Sequence, residues 1–358
     1  MSLPWRWLSK EAGALKKESV IRKLLNHKVF SLVILLIAMV ILFSVWSNAK
    51  GNNFFQGSTL TNVFDAIVLS SFIAIGAGCL LISGNLDLSS AAVGAFGGMI
   101  VATAITNWGL PTVISAIIAI VFCAFCGAIN ATLVTKFRFP AFIATLAMTS
   151  MARGMMYTFS SIGNETGAAN NVPVNYNAIL DFLGKGTAFK IPTGGTAINI
   201  PFGVVVVLIF FLFYGILISR SKFGLKMMMM GGNPTAATLA GINSKRITYI
   251  LFINASVLGG VAGIFNTARI GQGSLLALQV HQYTGITAAI LGGISFGGGA
   301  GGMGGVLIGL LILMTFQIGM STVGVNPYWV NVFSGVILLL ALSLDFINQK
   351  RAESVKAS

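Results

Sequence analysis

The chain has 358 residues, of which 56% are hydrophobic and only 8% charged, against about 25% charged in an ordinary soluble domain. With a mean hydropathy of +0.89, there is too little charge to cover a soluble globule. A soluble enzyme, a disordered chain and a secreted disulfide scaffold are excluded, and membrane-spanning segments are expected.

Residues 1–28 hold Arg6, Lys10, Lys16, Lys17, Arg22, Lys23 and Lys28. Trp5, Trp7 and Leu8 among them fit a helix lying on the membrane surface, and a basic tail is the plainer alternative. The apolar run that follows is too long for a cleaved signal peptide and reads as a retained span. Crossing the bilayer takes about 20 apolar residues per helix. Length, breakers and charge place spans at 29–47, 61–83, 88–107, 111–134, 140–160, 201–219, 247–267, 282–296, 304–323 and 328–347. The expected fold is therefore all-α and polytopic, with about ten transmembrane helices, broken or re-entrant glycine-rich segments and both termini cytoplasmic. The transmembrane body is 29–347 and the cytoplasmic tail 348–358.

Counting from a cytoplasmic start, 17 of the 22 basic residues fall inside. They lie in 1–28, at Lys136 and Arg138, in the 220–246 loop and in the tail. Lys50, Lys185, Lys190 and Arg269 fall outside, and Arg153 lies within a span. The net charge of +14 is then a topology signal, not a nucleic-acid footprint. The loop at 162–200 is extracytoplasmic, with a short apolar stretch, Tyr176–Leu183, that suits a surface helix. The loop at 220–246 is the large cytoplasmic one.

Two catalytic signatures are missing. No phosphate-cradling G-x-x-x-x-G-K-[ST] occurs and no H-E-x-x-H. His27 and His281 lie near membrane borders. Cys79, Cys123 and Cys126 lie in apolar runs, where a thiol is a small packing group rather than a redox or metal ligand.

Two segments break the helical pattern. In Ile82–Ser90, Gly84, Asn85 and Asp87 interrupt the apolar sequence. Asp87 and Ser89 suit the capping of the next helix, because side-chain oxygens accept its free N–H groups. An ionisable group at membrane depth equally marks a transport path. The second break, Leu291–Gly309, is dense in glycine and reads either as a re-entrant pair or as a tight hairpin. Gly259 with Gly263, and Gly305 with Gly309, have the spacing of close helix packing. The two breaks resemble each other, which hints at a duplication. In the cytoplasmic loop, Asn233 suits an N-cap, Pro234 the first helical position and Gly241 a stop.

That loop resembles one in the permease subunits of bacterial ABC importers for simple sugars, the ribose and galactoside type. Their F-G-R-x-x-x-A-I-G-G-N-x-x-A-A-x-x-S/A-G-I corresponds to Phe223-Gly224 through Gly231-Gly232-Asn233, Ala236-Ala237 and Ala240-Gly241-Ile242. G-G-I-D-L-S-V-G corresponds to Gly84–Ser90, and P-x-F-I-x-T-L followed by R-G to Pro140–Leu146 with Arg153-Gly154. The glycine-rich segment and Gly324–Trp329 match as well, so the likeness runs in order over roughly 60–350. It departs at Leu225, which replaces an arginine, at Met227–Met230, at Asn85 and Ser90, and at Gln282–Ile286, where the family has Y-E-L-D-A-I.

The resemblance implies a permease subunit of an ATP-driven importer in the bacterial inner membrane, moving a sugar or sugar-like solute. It implies a second permease copy, a cytoplasmic ABC ATPase and an extracytoplasmic substrate-binding protein. ATP and Mg would sit on the ATPase, with no cofactor and no catalytic or metal site on this chain. The coupling element would be Gly231, Gly232, Asn233, Pro234, Ala236, Ala237, Leu239, Ala240, Gly241 and Ile242. The translocation path is expected near Asn85, Asp87, Ser89, Asn130, Arg153, Gly297 and Gly298, with Arg153 pairing Asp87 or lining an inner wall. The alternative is a stand-alone secondary transporter or channel, which would need titratable residues within its spans. The spans offer only Asp65, Asp87, Arg153 and Asp345. A membrane enzyme has no nucleophile–base pair in its favour.

Overall fold

The computed structural model describes residues 28–162, 168–175, 177–192 and 197–357. The basic stretch before Lys28, with its two readings, lies outside the described residues. The first five helices are α1 (Lys28–Ala49), α2 (Gly57–Ile82), α3 (Ser90–Thr106), α4 (Thr112–Thr135) and α5 (Ala141–Ser161). On the side that the charge pattern assigns to the exterior come β1 (Val172–Pro173), α6 (Ala178–Lys185), β2 (Thr187–Ile191) and β3 (Ile198–Pro201). There follow α7 (Phe202–Arg220), then α8 (Lys222–Gly232) and α9 (Pro234–Leu239) on the side it assigns to the cytoplasm, α10 (Ser244–Ile270) and β4 (Gln272–Gly273). The chain ends with α11 (His281–Leu291), α12 (Met303–Thr322) and α13 (Pro327–Ala357).

Each of the ten expected spans falls on a helix. Among the described residues seven helices are long and apolar enough to cross a membrane: α1, α2, α4, α7, α10, α12 and α13. The 17-residue α3 is a shorter apolar helix. The expected span at 282–296 is corrected by α11, which has 11 residues. At 1.5 Å per residue it covers only about half of a ~30 Å hydrocarbon layer. It stops because Gly292 lies hard against the Gly305 carbonyl and Gly293 turns to φ +93°. The last helix continues to Ala357, through the expected tail.

The bundle is built around α10, which packs against α3, α4 and α2. Glycine makes this possible. A Cβ at Gly94 would overlap the Gly259 carbonyl, and one at Gly263 would overlap the Gly94 carbonyl. The backbones of α3 and α10 therefore touch directly, as small-xxx-small spacing allows. Thr267 Oγ1 donates to the Gly98 carbonyl at 3.1 Å across the crossing. Gly305 and Gly309 of α12 press on the carbonyls of Gly292 and Ala288 in the same way. Cys123 lies against Gly97 and Gly260, and all three cysteines are free and buried. They pack as the sequence predicted.

The outer face is ordered by two small antiparallel pairings, β1 with β4 and β2 with β3. The predicted surface helix appears as α6, shifted two residues, with Asn177 accepting from Leu180 N at 3.1 Å. At the outer end of the bundle Arg269 pairs with Asp65 at 3.2 Å. Side chains such as Ile41, Val121, Leu212 and Leu339 are exposed on α1, α4, α7 and α13. Such faces suit lipid.

Candidate functional site in the membrane breaks

The stretch between α2 and α3 leaves the helix at Ser83, turns at Gly84 (φ +79°) and stays non-helical to Ser89. Asp87 is 1% exposed, and its Oδ1 accepts from Ser89 N at 2.7 Å and Ser89 Oγ at 2.6 Å. Asn130 of α4 donates to Ser89 Oγ at 2.8 Å. Gln282, at the start of α11, ties this cluster to the far end of the sequence. Its Nε2 donates to the Asp87 carbonyl at 3.0 Å. Its Oε1 accepts from Ala91 N at 2.8 Å and Ser90 Oγ at 3.2 Å, serving the otherwise unpaired first turn of α3. Asp87 Oδ2 and Asn130 Oδ1 have no hydrogen-bond partner among the described residues. Buried polar groups without a partner are expensive and cluster at functional places.

Arg153 does not pair with Asp87. It sits near the middle of α5 and donates to the carbonyls of Leu275 and Ala277, each at 3.1 Å. Those carbonyls belong to the non-helical stretch between β4 and α11, which enters the bundle from the outer side. Next to Ala277, the buried Leu278 is held at φ +56°. This left-handed backbone costs an L residue about 1–2 kcal/mol. The arginine clamp and the burial of Leu278 hold it there.

Two non-helical stretches, 83–89 and 274–280, thus approach each other beside Gln282. A cavity of about 300 Å³ opens here, bordered by Arg153, Gln282, Thr149 and Leu88. A second cleft of about 360 Å³ lies toward the cytoplasmic end of α5, bordered by Asn85, Ala141, Phe142 and again Leu88. Leu88 is the wall they share.

The expected path residues therefore separate into three groups. Asp87, Ser89 and Asn130 form one hydrogen-bonded cluster. Arg153 borders the cavity. Asn85, Gly297 and Gly298 lie at the inner turns, where Gly298 (φ +86°) faces Gly84 and Gly231. At this junction Gly299 N donates to the Ile82 carbonyl at 2.8 Å. A Cβ at Gly231 would overlap that same carbonyl and lie 2.6 Å from Gly299 N. Both membrane breaks and the end of α8 are thus one backbone-level contact. Asp345 of α13 closes the turn by accepting from Phe296 N at 2.9 Å.

From the junction the chain enters α9. Asn233 accepts from Ala236 N at 2.9 Å, Pro234 opens the helix and Gly241 ends it at φ +75°. Within α9, Ala237 is fully buried, whereas Leu239 is 85% exposed. Gln282, Thr149 and Asp345 have structural roles here that no local pattern announces. Gln282 is distinguished in sequence only by departing from the family motif.

This arrangement of half-helices, inward-dipping breaks and a structured cytoplasmic loop is that of a transport permease. The chain belongs to the family described as branched-chain amino acid transport system / permease component, whose model matches residues 59–342. It is a permease subunit of an ABC import system, multi-pass in the plasma membrane. It is 30% identical to the fructose import permease protein of Rhizobium meliloti, over 87% of this chain and 84% of that one. It is 30% identical to the ribose import permease protein of Escherichia coli K12, over 87% and 92%. With the xylose transport system permease protein of Haemophilus influenzae it shares 27% identity over 89% and 96%. No solved structure matches it.

Proposed function

We propose that the chain forms the translocation path for a sugar or sugar-like solute. It would act as a pair of copies with a cytoplasmic ABC ATPase and an extracytoplasmic binding protein. ATP and Mg reside on the ATPase, and this chain performs no chemistry of its own. The sugar assignment is supported by relatives named for fructose, ribose and xylose. It is also supported by a cavity lined with hydrogen-bonding groups.

The observation that carries the mechanism is the three-way junction of Gly231 with Ile82 and Gly299. Movement of α9 under a closing ATPase reaches both membrane breaks with no intervening side chain. Displacing 83–88 moves Leu88, the wall between the outer cavity and the inner cleft. Access then alternates from one to the other. Leu239 is the natural contact, because a large apolar side chain exposed on the cytoplasmic loop fits an apolar groove on a partner.

The test is ATP-driven uptake in vesicles containing this chain, its ATPase and its binding protein. Leu239→Glu should abolish uptake while leaving the amount and thermal transition of the permease unchanged. Unaltered uptake would remove α9 from the coupling role. The chain alone should hydrolyse no ATP and accumulate no solute under a proton or sodium gradient. Gradient-driven uptake would favour a secondary transporter.

A further inference from the structure

The cavity beside Gln282 has a charge that its surroundings do not balance. Arg153 is half-buried and has no acidic partner among the described residues; its two hydrogen bonds go to the neutral carbonyls of Leu275 and Ala277. A guanidinium has five N–H donors, so three remain. No acidic residue lines the cavity. The nearest acid in the chain's hydrogen-bond network, Asp87, turns its carboxylate toward Ser89. The cavity also borders Ala91 and Ala92 in the first turn of α3, so the positive end of that helix faces the same space. Its remaining polar lining is Thr149, Tyr157, Gln279 and Tyr283. Gln279, Tyr157 and Tyr283 are exposed on the surface of the single chain. A polar, cationic surface at mid-helix depth belongs against water, not lipid.

We infer that this cavity is a binding station for a polyhydroxylated carboxylate, a sugar acid, rather than an uncharged sugar. The inference rests on the permease reading above and refines its solute class. A carboxylate matches the fork of free guanidinium donors, and hydroxyls match the amide and phenol groups around it. The clamp on Leu275 and Ala277 fixes the fork before the solute arrives, which lowers the ordering cost of binding.

The experiment uses the purified full chain in lipid nanodiscs, with direct binding of labelled D-gluconate and labelled ribitol. D-gluconate should bind about tenfold or more tightly than ribitol, the ratio expected for one charge-assisted pair. Arg153→Gln should bring that ratio to near one, and Arg153→Lys should keep most of it. Gln279→Glu places an acid beside the fork at an exposed position. It should weaken D-gluconate by a larger factor than ribitol, which keeps the test valid if Arg153 variants fail to fold. Equal binding of the two probes, absence of binding by either, or a preference that survives both Arg153→Gln and Gln279→Glu would overturn the inference. None of these results touches the ATP-driven uptake that tests the permease reading.

Discussion

Glycine serves two opposed purposes in two regions of this molecule. At the crossing of α3 and α10, Gly94, Gly98, Gly259 and Gly263 are regular helical residues that each face a neighbouring backbone. At the inner junction, Gly84, Gly298 and Gly299 have positive φ and form turns that meet Gly231. The first region is a fixed seam, in which absent side chains let two helices share a surface. The second is made of turns held by few bonds, and it joins the cytoplasmic loop to the membrane breaks. The difference teaches that close backbone packing alone does not make a rigid element. The crossing is continuous helix, whereas the junction is where helices stop.

That contrast can be broken deliberately. The largest effect is expected for Gly263→Leu, which drives a side chain into the Gly94 carbonyl. Overpacking ordinarily costs about 1–3 kcal/mol, but here the neighbours that must give way are all backbone of α3, so the seam cannot form and the effect should exceed every other below. Folded yield and thermal transition should fall together, with uptake and stimulated ATP hydrolysis lost in proportion. Gln282→Leu should rank next. It strands Ala91 N and Ser90 Oγ as donors and the Asp87 carbonyl as an acceptor, at about 1–3 kcal/mol for each buried group left unpaired. Here uptake should fall further than the thermal transition alone explains. Asn233→Ala removes the cap of α9 and should cost about 1 kcal/mol locally. Amide exchange across 234–239 should rise while the bundle is unchanged. Gly154→Ala is the smallest. Nothing lies within 4 Å of the added methyl, so the thermal transition should stay level or rise slightly. A large loss there would show that packing at glycine is not what separates the regions.

The helices were legible because the bilayer imposes a length and the positive charges impose a side. The α9 cap was legible because Asn-Pro and a later glycine are local signals. The half-length of α11 was not, since the glycines ending it act through α12 packing rather than through composition. Arg153 was recognised as unusual, but its partners are backbone carbonyls, which carry no side-chain signature. Gln282 was invisible as a keystone because its partners lie about 190 residues earlier. Long-range pairing of this kind leaves no mark in spacing. The two breaks that resemble each other in sequence are in contact at Ile82 and Gly299.

The central claim is that the cytoplasmic loop drives both membrane breaks through Gly231. The direct measurement is solute moved per ATP hydrolysed in vesicles holding the full importer, for the natural chain and for Gly231→Ala. The methyl must displace the Ile82 carbonyl or Gly299, so hydrolysis should continue while uptake per ATP drops to background. An unchanged ratio in the folded variant would contradict the account.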